Sequence, residues 1–196
     1  MKTTETNNRI FQNNFLERFS KTNAYFVIIA YIIISTSLLV YFSIKTDISI
    51  PFQIALFLTG LIFFSFIEYI VHRHLFHSDK SSDKGNFSYR LHHIHHDYPR
   101  DKKRLALPLP VGLILASVLY FLFWLLLGDY TPFFFPGFII GYALYLLIHY
   151  LIHTKRPPNN IFRILWRNHN IHHFQDDSKA YGVTSPFWDL IFKTTP

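Results

Sequence analysis

IPFQIALFLTGLIFFSFIEYIVHRHLFH, residues Ile50–His77, runs an apolar stretch straight into three histidines. A helix crosses the hydrocarbon core of a bilayer in about 20 predominantly apolar residues, and this stretch has that length. Three others approach it, near Ala24–Ile44, Leu109–Leu127 and Pro132–Ile152. The first pair is joined by Lys-Thr-Asp-Ile-Ser and the second by Gly-Asp-Tyr-Thr, both polar turn sequences, so the spans read as two hairpins that each return to the side they left. Burying four such helices inside a soluble protein would need a larger core than 196 residues can supply. The expected fold is therefore all-α, an integral membrane four-helix bundle with a helical cap on one side that carries the histidines.

Composition agrees. Half the residues are hydrophobic and 19% are aromatic, which points to lipid as solvent. The net charge of +7 would suit nucleic acid if the basic residues formed a patch of their own, but they flank the spans. Lys2, Arg9, Arg18 and Lys21 precede the first span, eight more lie from Arg73 to Arg104, and six follow from Lys155 onward, which leaves only Lys45 on the other side. By the positive-inside bias, both termini and the long central loop are expected in the cytoplasm, and the basic excess reports topology and anionic lipid, with no nucleic acid. One domain is expected over 1–196, with an N-terminal tail at 1–22 and cytoplasmic histidine-rich regions at 72–108 and 149–196. The opening MKTTETNNRIFQNNFLERFSK has no short apolar stretch before a cleavage site, so no removed signal peptide is expected. The chain has no cysteine, so disulfides, iron–sulfur clusters and thiolate chemistry are excluded and any metal must be held by nitrogen and oxygen.

All 12 histidines fall in four clusters on the expected cytoplasmic side. They are His72-Arg-His74-Leu-Phe-His77, His92-His93-Ile-His95-His96, His149-Tyr-Leu-Ile-His153 and His169-Asn-Ile-His172-His173. Spacings of three and four share a helix face, so His92 with His95 and His96, His149 with His153, and His169 with His172 and His173 can converge on metal. His72 and His77 are five apart and diverge on a regular helix; they are expected to serve different metals or to straddle a helix end, and neither is assigned to a particular ion. The regular spacings leave ten ligand candidates, five from each half, which suits two first-row metals with room for water or oxygen. Imidazole accepts iron, zinc and copper alike, so the ligands do not name the metal. A single histidine at a membrane interface is ordinarily an amphipathic side chain, but twelve in four clusters are not explained that way. His74 and His93 fall outside the spacings and are read as interfacial, or as standing behind the ligands. Haem ranks low, because HxxHH places neighbouring imidazoles too close for opposite axial positions.

At these clusters the chain resembles the fatty acid hydroxylase superfamily, and within it the fatty acid 2-hydroxylases. EYIVHRHLFH and HHIHHDYPRDKKRLALPLP are similar to the family's first half, and GYALYLLIHYLIHTKRPP and HNIHHFQDDSKAYGVTSPFWDLIFKT to its second; together they cover roughly Glu68–Leu109 and Gly141–Thr194 in the family's order. The resemblance implies a dinuclear site with ligands His72, His77, His92, His95, His96, His149, His153, His169, His172 and His173. It implies non-haem iron as the catalytic metal, with zinc able to occupy the same imidazoles in a prepared sample. It also implies O2 as co-substrate and hydroxylation at C2 of a long acyl chain. The chain departs from the family at Leu146, where an aspartate commonly follows the tyrosine, which puts one polar contact near the substrate or behind the ligands in question. It also begins shortly before its first span, so the fused cytochrome b5 domain of many members is expected to be absent and electrons to come from a separate protein of cytochrome b5 or ferredoxin type.

Breaking an unactivated C–H bond needs a strong oxidant, which iron with O2 supplies and organic side chains do not. The spans offer an apolar cleft for the acyl tail, and metals at the interface would set which carbon is reached. Tyr145, one turn before His149, is a candidate to orient a substrate carbonyl, although tyrosine is common at interfaces. Glu68, one turn before His72, is costly at a span end unless paired, and a hydrogen bond to a ligand imidazole is its expected role. Asp101 and Asp189 fit the family's motifs but would equally pair with Arg104 or cap a turn; Phe187 and Trp188 read as packing or interfacial anchors. The rival readings are another oxygen-dependent lipid enzyme on the same frame, such as a sterol or carotenoid hydroxylase or a desaturase, and a membrane zinc-binding or transport protein. The transporter reading calls for ionisable residues deep inside the spans, and those are nearly absent.

Overall fold

The computed structural model describes residues 13–77, 92 and 94–196, and every element among them is helical. The expected tail up to residue 12, the central loop at 78–91 and His93 lie outside the described residues. The helices are α1 (Asn14–Phe19), α2 (Ala24–Ser43), α3 (Ile50–Val71), α4 (Leu109–Leu127), α5 (Thr131–Thr154), α6 (Arg163–Phe174) and α7 (Phe187–Ile191). Their starts follow local chemistry. The Asn23 side chain accepts the Tyr25 N–H at the start of α2, and a proline sits in the first turn of α3, α4 and α5.

Among the described residues, three helical runs, Ala24–Ser43, Ile50–Phe76 and Leu109–Thr154, are long and apolar enough to cross a membrane. The third, 46 residues long, would extend about 69 Å if straight, twice the hydrocarbon core. It is not straight. Gly128 takes φ +52°, a left-handed conformation open to glycine, and a 3₁₀ turn over Gly128–Tyr130 reverses the chain. The Phe123 and Phe138 rings thereby meet at 5.3 Å.

The centre of the bundle is α5, whose first turns are buried continuously over 131–139. Antiparallel to it lies α2, from the Tyr25–Tyr150 ring pair at one end to Ser35 Oγ donating to Pro136 O deeper in. Parallel to it runs α3, held at close approach by glycines. A methyl group at Gly60 would lie 2.0 Å from Phe134 O, and one at Gly137 1.9 Å from Phe57 O. Small residues let helix backbones meet in this way where no hydrophobic force distinguishes lipid from protein. The outer surfaces of α2, α3 and α4 stay apolar and exposed, with Ile33, Ile62 and Leu126 among the most open, as expected of faces solvated by lipid. Because α3 and α5 run parallel, both deliver their C-terminal histidines to the same end.

The expected N-terminal tail is partly structured. The Glu17 carboxylate on α1 pairs with Arg104, whose Nη1 also donates to Ser20 Oγ at 3.1 Å, and Thr22 N–H donates to Lys103 O. The buried guanidinium and carboxylate satisfy one another, which ties α1 to the loop before α4.

Candidate metal centre

At its C-terminal end α3 widens into a π-helical turn over His72–Phe76, closed by the His77 N–H donating to His72 O at 3.2 Å. With i→i+5 bonding, residues five apart come round to the same side. His72 and His77 therefore face one another, with ring centroids 5.1 Å apart. Both belong to one group, so the expectation that they serve different metals does not hold; the alternative, that they straddle a helix end, describes what is seen.

Among the described residues, ten histidines form two groups. His72, His77, His92, His96 and His172 make the first; His95, His149, His153, His169 and His173 make the second; within each, the candidate donor atoms lie within 4.8 Å of one another. The HxxHH motifs do not each serve one group. His92 and His96 stay together while His95 goes to the other group, and His169 and His173 stay together while His172 crosses over. On an α-helix a residue and its fourth successor share a face, whereas adjacent residues are about 100° apart, so neighbours such as His95 and His96 must part. Each half of the chain thus lends one imidazole to the other half's group. The groups touch where His96 and His173 stack at 4.0 Å.

The donor set fits a metal. His92 Nε2 lies 3.1 Å from His72 Nε2 and 2.9 Å from both His77 Nε2 and His96 Nε2. One ring nitrogen carries at most one proton, so these contacts cannot all be hydrogen bonds. A metal–nitrogen bond of about 2.1 Å sets two imidazoles at right angles about 3.0 Å apart, which a central cation would satisfy. In the second group His153 Nε2 lies 3.1 Å from His149 Nε2 and 2.9 Å from His169 Nε2. Both ring nitrogens of His95 and of His173 are buried with no hydrogen-bond partner among the described residues. Burial first, and the neighbouring imidazoles after it, hold His92, His95 and His169 well below the usual histidine range, so these rings stay neutral with a lone pair available.

Behind the first group stands the loop between α6 and α7. His72 Nδ1 donates to Tyr181 O at 2.6 Å and His172 Nδ1 to Lys179 O at 2.7 Å, which fixes both tautomers with Nε2 directed inward. Two carboxylates hold that loop. Glu68, buried in α3, accepts the Val183 N–H at 2.7 Å, the Thr184 N–H at 3.0 Å and the Thr184 hydroxyl. Asp189 accepts the Tyr181 N–H at 2.8 Å, the Gly182 N–H at 2.9 Å and the Thr194 hydroxyl at 2.7 Å. Glu68 was expected to bond a ligand imidazole. It lies one turn before His72 as expected, but three loop donors take its oxygens, and it acts one step further out. The Tyr181 and Lys179 carbonyls were not legible in the sequence, since any residue offers a carbonyl; the Gly-Val-Thr-Ser run with an acid seven residues after its glycine was the available signal for a pinned turn.

Tyr145 stacks on His149, with ring centroids 5.3 Å apart and planes 20° from parallel. Leu146 is buried in the bundle core. Asp101 both pairs with Arg104 Nε at 3.3 Å and accepts the Lys103 N–H. Trp188 packs on Phe66 and donates its Nε1–H to Ser65 Oγ, while Phe187 is exposed. His74 is exposed and joins neither group.

Comparison with known proteins places this geometry. The family model described as fatty acid hydroxylase matches residues 57–194. A ceramide very long chain fatty acid hydroxylase of Schizosaccharomyces pombe is 37% identical over 188 residues, covering 92% of this chain and 53% of that protein. A dihydroceramide fatty acyl 2-hydroxylase of Arabidopsis thaliana is 32% identical, covering 79% of this chain and 66% of its own length, and the fatty acid 2-hydroxylase of Mus musculus is 29% identical, covering 95% and 56%. A solved structure described as full-length scs7p, with only its hydroxylase domain visible, superposes with a TM-score of 0.82 at 33% identity, covering 93% of this chain and 70% of that one. The chain spans between about half and two thirds of the length of these curated relatives.

Proposed function

The chain belongs to the fatty acid hydroxylase family, and from that premise we propose that it is a membrane di-iron oxygenase hydroxylating a long-chain fatty acyl lipid at C2. The observation that carries this reading is the pair of five-histidine groups side by side at the end where α3 and α5 leave their apolar length. His72, His77, His92, His96 and His172 would hold one metal, and His95, His149, His153, His169 and His173 the other. Iron in those groups would use O2, two electrons and two protons to replace one C–H bond of the acyl chain by C–OH and release water.

The protein's own part is placement. The relatives' names, ceramide and fatty acyl hydroxylases, point to the acyl chain of a sphingolipid or a fatty acid as substrate. Its tail would lie against the apolar helices while its head stays at the histidine end, so the carbon nearest the polar group meets the metals. Tyr145, half-buried, would hydrogen-bond the substrate's carbonyl, a role supported by its stacking on His149 beside the second group. The hairpin at Gly128 supports four spans, α2 to α5, in one membrane hydroxylase domain. The scarcity of Lys and Arg at the far end, where Lys45 stands alone, supports a cytoplasmic histidine face and cytoplasmic termini. A redox protein or domain of cytochrome b5 or ferredoxin type would supply the electrons.

Mass spectrometry of hydrolysed lipids from cells expressing the chain tests the reading. A gain of 2-hydroxy fatty acids that disappears with His95→Ala is expected. The same gain with His95→Ala, at full metal content, would overturn the assignment of the site.

A further inference from the structure

The two histidine groups are supported differently. In the first, the imidazoles of His72 and His172 are each oriented by a backbone carbonyl, and both carbonyls belong to one loop. In the second, Nδ1 of His95, His149, His169 and His173 is buried without a hydrogen-bond partner among the described residues. Partners behind a ligating imidazole fix its tautomer and its aim, and losing one costs metal affinity about 10–100-fold. We infer that the two metal sites are unequal by construction: the first group retains its metal, the second exchanges it, and Glu68 is the positioning residue that sets the difference. This rests on the reading that each group holds one metal.

The role of Glu68 follows from its place. It sits on the same helix as His72, one turn earlier, and grips the loop at Val183 and Thr184, two and three residues beyond the carbonyl that His72 uses. Ligand and carbonyl are therefore carried on one rigid frame. From its other side Asp189 holds Tyr181 and Gly182. Between the two carbonyls, Ala180 takes φ +56°, a left-handed conformation that residues with a side chain rarely adopt, and its N–H donates to Thr194 O at 2.8 Å. Such a conformation persists only where surrounding contacts over-determine it, and here they are the Thr194 carbonyl on Ala180 itself and the Asp189 carboxylate on Tyr181 beside it. No equivalent loop stands behind the second group among the described residues.

The test is metal release from purified full-length protein loaded with cobalt and exposed to excess chelator. Two phases of one metal each, with rates at least tenfold apart, are expected. His172→Ala should abolish the slow phase and His169→Ala the fast one. Glu68→Ala should speed the slow phase about 10–100-fold and leave the fast phase unchanged, whereas Glu68→Gln, whose amide oxygen can still accept both loop N–H groups, should stay near the parent. Glu68→Ala speeding both phases alike would mean general loosening and would overturn the inference. So would a single phase releasing both metals, with the functional reading intact. If the variants do not accumulate, anomalous diffraction from the partly depleted parent decides: the retained cobalt must lie among His72, His77, His92, His96 and His172, and cobalt retained in the other group instead refutes it. Protein that binds no metal in either group would sink the functional reading itself.

Discussion

Gly137→Ala places one methyl group where α3 and α5 cross. Its Cβ would lie 1.9 Å from Phe57 O, 2.8 Å from Phe57 C and 3.1 Å from Leu61 N. All three are backbone atoms of a helix, so nothing can swing aside. Reaching ordinary contact requires local separation of the helices by roughly 1.5 Å. Overpacking against backbone costs about 3 kcal/mol, and at about 2–4 °C per kcal/mol for a chain of this size Tm should fall by roughly 6–12 °C. The effect should reach the site. His72 and His149 each lie twelve residues beyond a contact glycine, Gly60 and Gly137 respectively, about 18 Å along parallel helices. Spreading α3 from α5 moves the two histidine groups apart, and a displacement near 1 Å costs on the order of 100-fold in rate for a reaction that depends on placement. Thermal unfolding in lipid nanodiscs, followed by tryptophan emission, is the assay. Leu126→Ala on the outer face, 78% exposed, is the control and should shift Tm by no more than about 2 °C. If Gly137→Ala unfolds within 2 °C of the parent, about the control's range, the close approach of α3 and α5 is wrong.

Tyr145→Phe should leave metal content and Tm unchanged and lower kcat/KM for hydroxylation about tenfold, the worth of one hydrogen bond to the substrate head; an unaltered rate would reduce Tyr145 to a ring that packs on His149. In metal-free protein, acidification should destabilise the fold. His92, His95 and His169 are held below the ordinary value of 6.5, so below that pH the unfolded chain takes up protons that the folded chain refuses. Stability is therefore full above pH 6.5 and falls as pH drops, by about 1.4 kcal/mol per pH unit for each such histidine. Unfolding midpoints of the apo-protein that stay flat or rise between pH 7.5 and 5.5 would contradict this.

The long helices were legible because apolar runs, leading prolines and polar turns all end at the same residues. The expected Ile50–Val71 and Leu109–Leu127 are the observed α3 and α4, and α2 and α5 differ from expectation by two residues or fewer at either end. That ten histidines would meet was also legible, since three- and four-residue spacings repeat at the ends of the apolar runs. How they divide was not. The π-helical turn that reunites His72 with His77 adds one residue to a turn, and nothing in His-Arg-His-Leu-Phe-His announces it; the turn rests against the loop at Tyr181, more than a hundred residues away. The partition of each HxxHH motif followed from helix geometry and could have been argued from adjacent imidazoles alone. Glu68 was placed correctly along the chain and wrongly in space, because its partners are more than a hundred residues away.

On the proposed function, this pair of histidine groups, holding iron, would put an oxygen atom from O2 onto an acyl chain. Iron-loaded protein in lipid nanodiscs, supplied with a reduced redox partner and a long-chain acyl lipid under 18O2, tests it in one measurement. A 2-hydroxy acyl product two mass units heavier than under 16O2 is expected, and none from His95→Ala. A product whose oxygen comes from water, or a double bond with no oxygen added, would contradict it.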